Sequence, residues 1–168
     1  MKEGVRKMET KISVQTTQMK QVIFTLGEEE FGLDIMLVNA IEKYTDLIPI
    51  PNAPSYIRGI INLRGDVIPV FSLRKKFGLA DKEADDNTKL IVTKSNGIFL
   101  AYEVDAVKEI LEIPAEHLSE TPAIVKSIHT SYIQCVANIN GRMILLLNHD
   151  GILSDKEQEN IQSIMSNQ

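Results

Sequence analysis

The side chains most capable of chemistry in this sequence are one cysteine and three histidines. Cys135 lies in the apolar run YIQCVANI, and the histidines are His117, His129 and His149. A nucleophilic cysteine needs a base, a group that orients the base and an oxyanion site, and the sequence identifies no such set around Cys135. Zinc ligands recur at short spacings that these residues lack. A buried, inert thiol is the better interpretation of Cys135, and a small β-barrel enzyme that uses it is a remote alternative.

Motifs that hold phosphates, nucleotides or metals are absent from the 168 residues. There is no phosphate-binding glycine loop, no HExxH, no CxxC and no GxSxG nucleophile elbow. The acidic stretch 81–86 lacks the glycine and the carboxylate spacing of a calcium loop. We therefore expect no catalytic residue, no metal ligand and no cofactor, and we expect that the protein is not an enzyme.

Two arginines, Arg58 and Arg64, lie in a stretch rich in turn residues. The sequence before them contains three prolines, Pro49, Pro51 and Pro54. Proline fixes φ and has no amide donor, so this segment is expected to be extended and outside a sheet. A short helical turn is predicted for 55–58, with Gly59 free to take positive φ at its end. An arginine on such a rigid frame loses little entropy when it binds a partner, which makes both arginines candidate binding residues.

Turn residues divide most of the chain into pairs of short apolar runs, the pattern of antiparallel hairpins. The predicted pairs are 21–26 with 30–35, 60–63 with 67–71, 90–93 with 98–104, and 133–139 with 142–147. Gly65 supplies the unusual dihedral at the second turn, and Asn-Gly forms the third and fourth. Another strand is predicted for 106–113, whereas 34–44 fits a helical turn as well as a strand. Many short strands of this kind indicate a barrel or sandwich.

The two ends of the chain differ from its centre. Residues 1–20 are polar and lack apolar periodicity, so a disordered tail is expected there. A C-terminal helix is predicted for 154–165, because Ser154 and Glu157 have capping-box spacing before an apolar face. Residues 21–153 would then form the folded domain.

The composition is that of an ordinary globular protein with an acidic balance. The formal net charge is −5, which disfavours nucleic acid and anionic membranes as partners. No apolar run approaches the roughly 20 residues that span a bilayer, so no direct membrane insertion is expected. A single cysteine excludes an internal disulfide, and no secretory signal is visible, so a cytoplasmic location is expected.

The segment IPIPNAPSYIRGIINLRG resembles the signature of the CheW family of bacterial chemotaxis coupling proteins. In that family, Pro-x-x-Pro-x-[Tyr/Phe]-Ile-[Arg/Lys]-Gly runs into Asn-Leu-Arg-Gly, and the resemblance extends over about Lys20 to Leu153. It implies a mainly β fold of two small five-stranded, SH3-like barrels that share a hydrophobic seam. It also implies a non-enzymatic adaptor that couples the regulatory domain of the histidine kinase CheA to the cytoplasmic tips of chemoreceptors (methyl-accepting chemotaxis proteins). Such an adaptor is recruited to membrane-associated receptor arrays.

The resemblance also implies which residues matter. The partner-binding positions are Val38, Ala40, Ile41, Arg58, Gly59, Arg64 and Cys135. The positions that shape the backbone are Pro49, Pro51, Pro54, Gly59 and Gly65.

Three positions depart from the family pattern. Ala40 replaces the glutamate of Val-x-Glu-Ile, Ser72 replaces the aspartate of Asp-Leu-Arg, and Cys135 replaces a glycine. That glutamate would be a natural partner for the arginine of Asn-Leu-Arg-Gly, so Arg64 is expected to be unpaired or paired elsewhere. These departures leave a second hypothesis open, a divergent paralogue that binds a kinase but not the usual receptors.

Overall fold

The computed structural model describes residues 19–95, 97–120 and 132–166, and within these ranges the protein is mainly β, as predicted. The strands are β1 (Met19–Leu26), β2 (Glu29–Asp34), β3 (Val38–Lys43), β4 (Ile57–Leu63), β5 (Asp66–Ser72), β6 (Lys89–Ser95), β7 (Ile98–Val104), β8 (Ala106–Ile113), β9 (Leu118–Ser119), β10 (Ile133–Ile139) and β11 (Arg142–Leu147). The α-helices are α1 (Leu73–Lys76), α2 (His149–Ile152) and α3 (Asp155–Ser166). Short 3-10 helices cover Ile35–Leu37 and Ala115–His117. The tail predicted for residues 1–20 falls almost entirely outside the described residues.

The described strands form two sheets, and the chain divides into two compact units. One sheet has the order β8-β1-β2-β11-β10-β9 and the other has the order β3-β6-β7-β5-β4. The first unit comprises residues up to Ile23, Glu30–Ile35 and Glu109–Ile152, and the second comprises Phe24–Glu29, Met36–Lys108 and the residues from Leu153 onward. The two-residue strand β9 gives the first sheet six strands, whereas the second has the five that were predicted.

Each unit has its own hydrophobic core. The core of the first unit is built by Ile23, Ile113, Ala137, Ile144 and Leu146. The core of the second unit is built by Ile61, Ile68, Val70, Leu90, Val92 and Ala101. Ala40 of β3 and Leu63 of β4 both pack against this second core, although their strands lie at opposite edges of the sheet. The five-stranded sheet therefore curls until its edges approach each other, as in a barrel.

Two hairpin turns have positive φ at both of their central residues. In the β4–β5 turn, Arg64 has φ 53° and Gly65 has φ 90°. In the β10–β11 turn, Asn140 has φ 52° and Gly141 has φ 84°. Positive φ at both central residues is the type I′ geometry, whose twist matches that of the flanking strands. The predicted glycines are confirmed, but the sequence did not indicate that Arg64 would also take positive φ.

The proline segment, which contains Pro49, Pro51 and Pro54, is not extended throughout as predicted, because a turn interrupts it: Asn52 has φ 62°, and the Ala53 amide donates to the Ile50 carbonyl at 3.4 Å. The segment meets strand β4 at a bridge between Ile48 and Ile60. Ile48 and Ile60 exchange two backbone hydrogen bonds, each 2.9 Å long. The helical turn predicted for 55–58 is wrong. The Ile57 amide donates to the Pro54 carbonyl at 3.0 Å to close one turn, and β4 begins at Ile57 because Ile57 pairs with Phe71 of β5.

The ambiguous stretch 34–44 contains both alternatives, a 3-10 turn at Ile35–Leu37 followed by β3. The structure also has two one-turn α-helices and the strand β9 that were not predicted. Elements of two to four residues are too short to show a period in the sequence.

The predicted C-terminal helix is confirmed as α3, with its capping box. The Glu157 amide donates to Ser154 Oγ at 3.1 Å, and the Ser154 amide donates to Glu157 Oε1 at 2.9 Å. Within the second unit, Asn160 donates to Tyr56 Oη at 3.3 Å, and the Tyr56 ring lies 5.1 Å from that of Phe71. None of the helices in the described ranges is long and apolar enough to cross a membrane.

Candidate partner-binding surface

Six of the seven predicted partner-binding positions belong to the second unit. They lie on β3 (Val38, Ala40 and Ile41), on β4 (Arg58 and Gly59) and in the β4–β5 turn (Arg64). Cys135 lies on β10, in the first unit. The second unit is therefore where the structure brings candidate residues together.

Arg64 presents its guanidinium at the tip of the β4–β5 turn. Its side chain is 81% exposed, and Nη2 lies 3.8 Å from Glu42 Oε1. The turn beneath it is held by Asn62, whose Oδ1 accepts from the Gly65 amide at 3.1 Å. Arg64 is thus paired with Glu42, which agrees with one of the two alternatives expected from the sequence. An exposed ion pair of this length contributes little stability.

Strand β3 has one face toward the core and one toward solvent. Ala40 packs against the core cluster, and Glu42 lies on the same face because side chains alternate along a strand. Ile41 lies on the opposite face, pairs with Ile91 of β6 and is 39% exposed. A bulge between Val38 and Ala40 shifts the β3–β6 register. Ala40 therefore contributes packing, and the acidic group that reaches Arg64 stands two residues further along the strand.

Arg58 takes part in an ion-pair network inside the second unit. Its Nε and Nη2 donate to Glu103 Oε2 and Oε1 at 3.2 and 3.4 Å, while Nη1 donates to Asp81 Oδ2 at 3.1 Å. Burial alone would lower the pKa of Arg58, but its bonds to Glu103 and Asp81 raise the pKa above its ordinary value. The Arg58 side chain is only 20% exposed, and its partner Glu103 is 9% exposed. The guanidinium of Arg58 is therefore held in a defined orientation by a buried carboxylate.

Gly59 allows the proline segment to approach β4. A Cβ at this position would lie 2.6 Å from the Ile48 carbonyl oxygen, and φ is 153°. It follows a bulge, since Ile57 pairs with Phe71 and Gly59 with Val70. Arg58 is the extra residue of that bulge, which turns its side chain away from the regular ladder. The predicted structural role of Gly59 thus has a direct steric basis.

A second arginine network was missed by the sequence analysis. Arg74 Nε and Nη2 donate to the two oxygens of Asp105 at 2.7 and 2.5 Å, and the Gly27 amide donates to Asp105 Oδ2 at 2.7 Å. Burial raises the pKa of Asp105, but the hydrogen bonds from Arg74 and Gly27 outweigh it and leave the pKa below its ordinary value. The partners are 31 and 78 residues apart in the chain, so spacing gave no signal of this network.

Lys76 of the basic run 74–76 also has a structural role, and so does Ser72 just before this run. Lys76 Nζ lies 2.6 Å from Glu157 Oε1 of α3, with both side chains largely buried. Ser72 caps α1, since its Oγ accepts from the Lys75 amide at 3.2 Å. Serine and aspartate are comparably good caps, so the family's aspartate can be replaced here without loss of this bond.

Cys135 lies at a bulge in β10 and packs against the first core. Burial raises the pKa of its thiol, which is opposite to the change that activates a nucleophile. Cys135 is not among the described residues with positive φ, so its backbone does not require the glycine of the family. His129, one of the three histidines of the chain, lies outside the described residues. Among the residues described, no three His, Cys, Asp or Glu side chains are grouped to hold a metal.

The described chain thus forms two β-barrel-like units, and the second unit carries Arg58 near the start of a strand and Arg64 in a turn. The family model described as CheW-like domain matches residues 20–157, so the chain belongs to the CheW family. Over 155 residues the chain is 32% identical to the chemotaxis protein CheW of Klebsiella aerogenes, covering 92% of this chain and 93% of the relative. It is 33% identical over 138 residues to the chemotaxis protein CheW of Rhizobium meliloti, covering 82% and 89%.

A solved structure agrees with this assignment. The crystal structure of the scaffolding protein TtCheW from Thermoanaerobacter tengcongensis superposes with a TM-score of 0.71 at 34% identity, covering 78% of this chain and 84% of that one. The comparisons therefore confirm the mainly β fold of two barrel-like domains. They also place the chain in a chemotaxis scaffold family and not among enzymes.

Proposed function

We propose that this protein is an adaptor that couples the regulatory domain of the histidine kinase CheA to the cytoplasmic tips of chemoreceptors. It would act in the cytoplasm, recruited to membrane-associated receptor arrays, and would carry no catalytic step. The chain's membership of a chemotaxis scaffold family supports this role.

The observation that carries the proposal is the exposure of Arg64 together with its left-handed backbone conformation. The side chain is 81% exposed on a backbone with φ 53°, a conformation that costs a non-glycine residue free energy. Its ion pair with Glu42, at 3.8 Å, is too long to repay that cost. A strained and exposed arginine is best explained by a contact that another molecule completes.

The remaining candidate residues have distinct parts in this proposal. Ile41 provides exposed apolar surface on β3, and Val38 and Ala40 set the shape of that strand. Arg58 and Gly59 lie at the bulge of β4, next to the bridge between this strand and the proline segment. Cys135 would act separately, in the first unit. Helical receptor tips would bind through apolar side chains in a groove, with the arginines at its edge.

Calorimetric titration with the CheA regulatory domain of the same cell tests the kinase arm. We expect saturable one-to-one binding with a dissociation constant on the order of 1 μM. A receptor fragment that contains the helical tip, titrated separately, tests the other arm. Kinase binding without receptor binding would instead support the divergent paralogue, and no binding of either by the folded protein would reject the adaptor function.

Arg64→Glu provides the matched variant for both titrations. It reverses one exposed charge, so the fold should remain intact while partner binding weakens. Glu83→Lys reverses a charge of the exposed loop 81–86 and serves as the control for general electrostatic effects. Equal losses in the two variants would show that Arg64 makes no specific contact.

A further inference from the structure

Strand β8 lies at an edge of the six-stranded sheet and is eight residues long. Among the described strands it has a neighbour, β1, on one side only. The strand at the opposite edge, β9, has two residues, which is too short for pairing over any length. The outer edge of β8 carries backbone amides and carbonyls that another strand can bind. It is therefore the edge at which a second chain can extend this sheet.

The two faces of β8 differ in burial. Leu111 packs against the first core, and Ile113 belongs to that core. Because side chains alternate along a strand, Lys108, Ile110 and Glu112 lie on the opposite face. All three are exposed, and Ile110 is 56% exposed. The outward face of β8 thus presents a large apolar side chain between two opposite charges.

This outward face is complementary to itself in an antiparallel pair. A two-fold axis through Ile110 places the isoleucines of two copies opposite each other. The same axis places Lys108 of each copy opposite Glu112 of the other copy. Opposite side chains on one face of an antiparallel pair have Cβ atoms about 4.5–5.5 Å apart, so two ion pairs and one apolar contact form together.

The neighbouring symmetric registers lack this complementarity. An axis through Lys108 brings two lysines together, and an axis through Glu112 brings two glutamates together. Like charges directly opposite each other are destabilising. Axes through Glu109 or Leu111 place Ile110 opposite a charged side chain. Three side chains of β8 therefore select one register, the one centred on Ile110.

Lys108 also discriminates between possible partners. A lysine on an edge strand disfavours pairing with unrelated strands, which bring no counter-charge to it. In the symmetric pair, Glu112 of the second copy supplies that counter-charge. The charges of β8 thus favour a second copy of this chain over other chains.

We propose that the outer edge of β8 is a homodimer interface, at which a second copy of this chain pairs antiparallel through its own β8 around Ile110. The paired strands join the six-stranded sheets of the two copies into one continuous sheet. One strand pair buries less than the roughly 1,200–2,000 Å² of a stable interface, so the dimer is weak and forms at high protein concentration. It uses none of the candidate partner-binding residues and does not depend on the adaptor function proposed above.

Sedimentation equilibrium of the full chain between about 10 and 500 μM tests the inference, and we expect a dissociation constant on the order of 100 μM. Lys108→Glu and Glu112→Lys each replace two attractive contacts of the dimer by two repulsive ones. We expect each variant to dimerise about 10-fold more weakly than the wild type. Lys156→Glu makes the same charge change at an exposed position of α3 and should leave dimerisation unchanged. Melting curves verify that all variants are folded.

An equimolar mixture of Lys108→Glu and Glu112→Lys separates this interface from a general effect of charge. One copy then carries glutamate at both positions and the other carries lysine at both, so every opposed pair has opposite signs. We expect the mixture to form a heterodimer, and the double variant with both substitutions to dimerise within about 2-fold of the wild type. A wild-type protein that stays monomeric at the highest concentration would overturn the inference. So would single variants that dimerise as well as the wild type, or a mixture that does not associate.

Discussion

Arg64 occupies a backbone conformation that glycine or asparagine would adopt at lower cost. The equivalent position of the β10–β11 turn is Asn140, with φ 52° against 53° for Arg64. We predict that Arg64→Asn, which makes the β4–β5 turn Asn-Gly as well, stabilises the fold by about 0.5–1 kcal/mol and weakens partner binding. Urea denaturation measures the first effect and calorimetric titration the second. Lower stability of the variant would mean that Arg64 braces the barrel through Glu42.

Gly59 and Gly65 both have positive φ, but their surroundings differ. A Cβ at Gly59 would meet the Ile48 carbonyl oxygen at 2.6 Å, whereas a Cβ at Gly65 would meet nothing within 4 Å. We predict that Gly59→Ala lowers the free energy of unfolding by clearly more than about 1 kcal/mol, and that Gly65→Ala costs only the dihedral strain of about 1 kcal/mol. Denaturation of both variants gives the comparison. Equal losses would show that the steric contact with the proline segment is unimportant.

Among the elements, the Arg74–Asp105 pair joins the β1–β2 turn, α1 and the end of β7. Both side chains are largely buried, at 15% and 13% exposure, and the Gly27 amide shares the same carboxylate. We predict that Asp105→Asn lowers the free energy of unfolding by about 2–4 kcal/mol, because it removes the carboxylate that Arg74 binds through two nitrogens and leaves this largely buried guanidinium poorly compensated. Asp86→Asn, in an exposed loop, should change it by less than about 0.5 kcal/mol. Thermal and urea denaturation distinguish these values.

The elements also show what the sequence could predict. The hairpins followed from alternating apolar runs and from Asn-Gly or Arg-Gly turns, and α3 followed from its capping box, because these signals lie within a few residues of one another. The ion pairs that fix Arg58 and Arg74 join residues 45 and 31 positions apart, and no local pattern encodes them. For the same reason, no local pattern indicated that Arg74 and Lys76 of the basic run 74–76 are bound to carboxylates. Ser72 before Leu73 was the one local signal for α1, since serine is a preferred cap.

At the scale of the molecule, several carboxylates have pKa values below their ordinary range in the folded state. They include Asp105 and Glu157, which pair with Arg74 and Lys76. The unfolded chain binds protons more readily at these groups. Their contribution to the free energy of unfolding is therefore complete above about pH 5, and it is lost as pH falls through the pKa values of the folded state.

We therefore predict a melting temperature that falls steeply between about pH 5 and pH 3. The difference between the wild type and Asp105→Asn should shrink over the same interval, since protonation removes the same charge. Melting curves at stepped pH and constant ionic strength give both quantities. A constant difference down to pH 3 would contradict the ionic origin of the Arg74–Asp105 contribution.

The bridge between Ile48 and Ile60 covers part of an exposed sheet edge. Strand β4 is an edge of the five-stranded sheet, and the outer edge of a strand is a template on which another chain can add. Ile48 satisfies the amide and carbonyl of Ile60 on that edge, and its neighbour Pro49 has no amide with which to continue the ladder outward. The proline segment thus ends the sheet after one bridge. This bridge therefore leaves the edge less open to pairing with a strand from another copy of the chain, so it also protects the folded protein from aggregation at this edge.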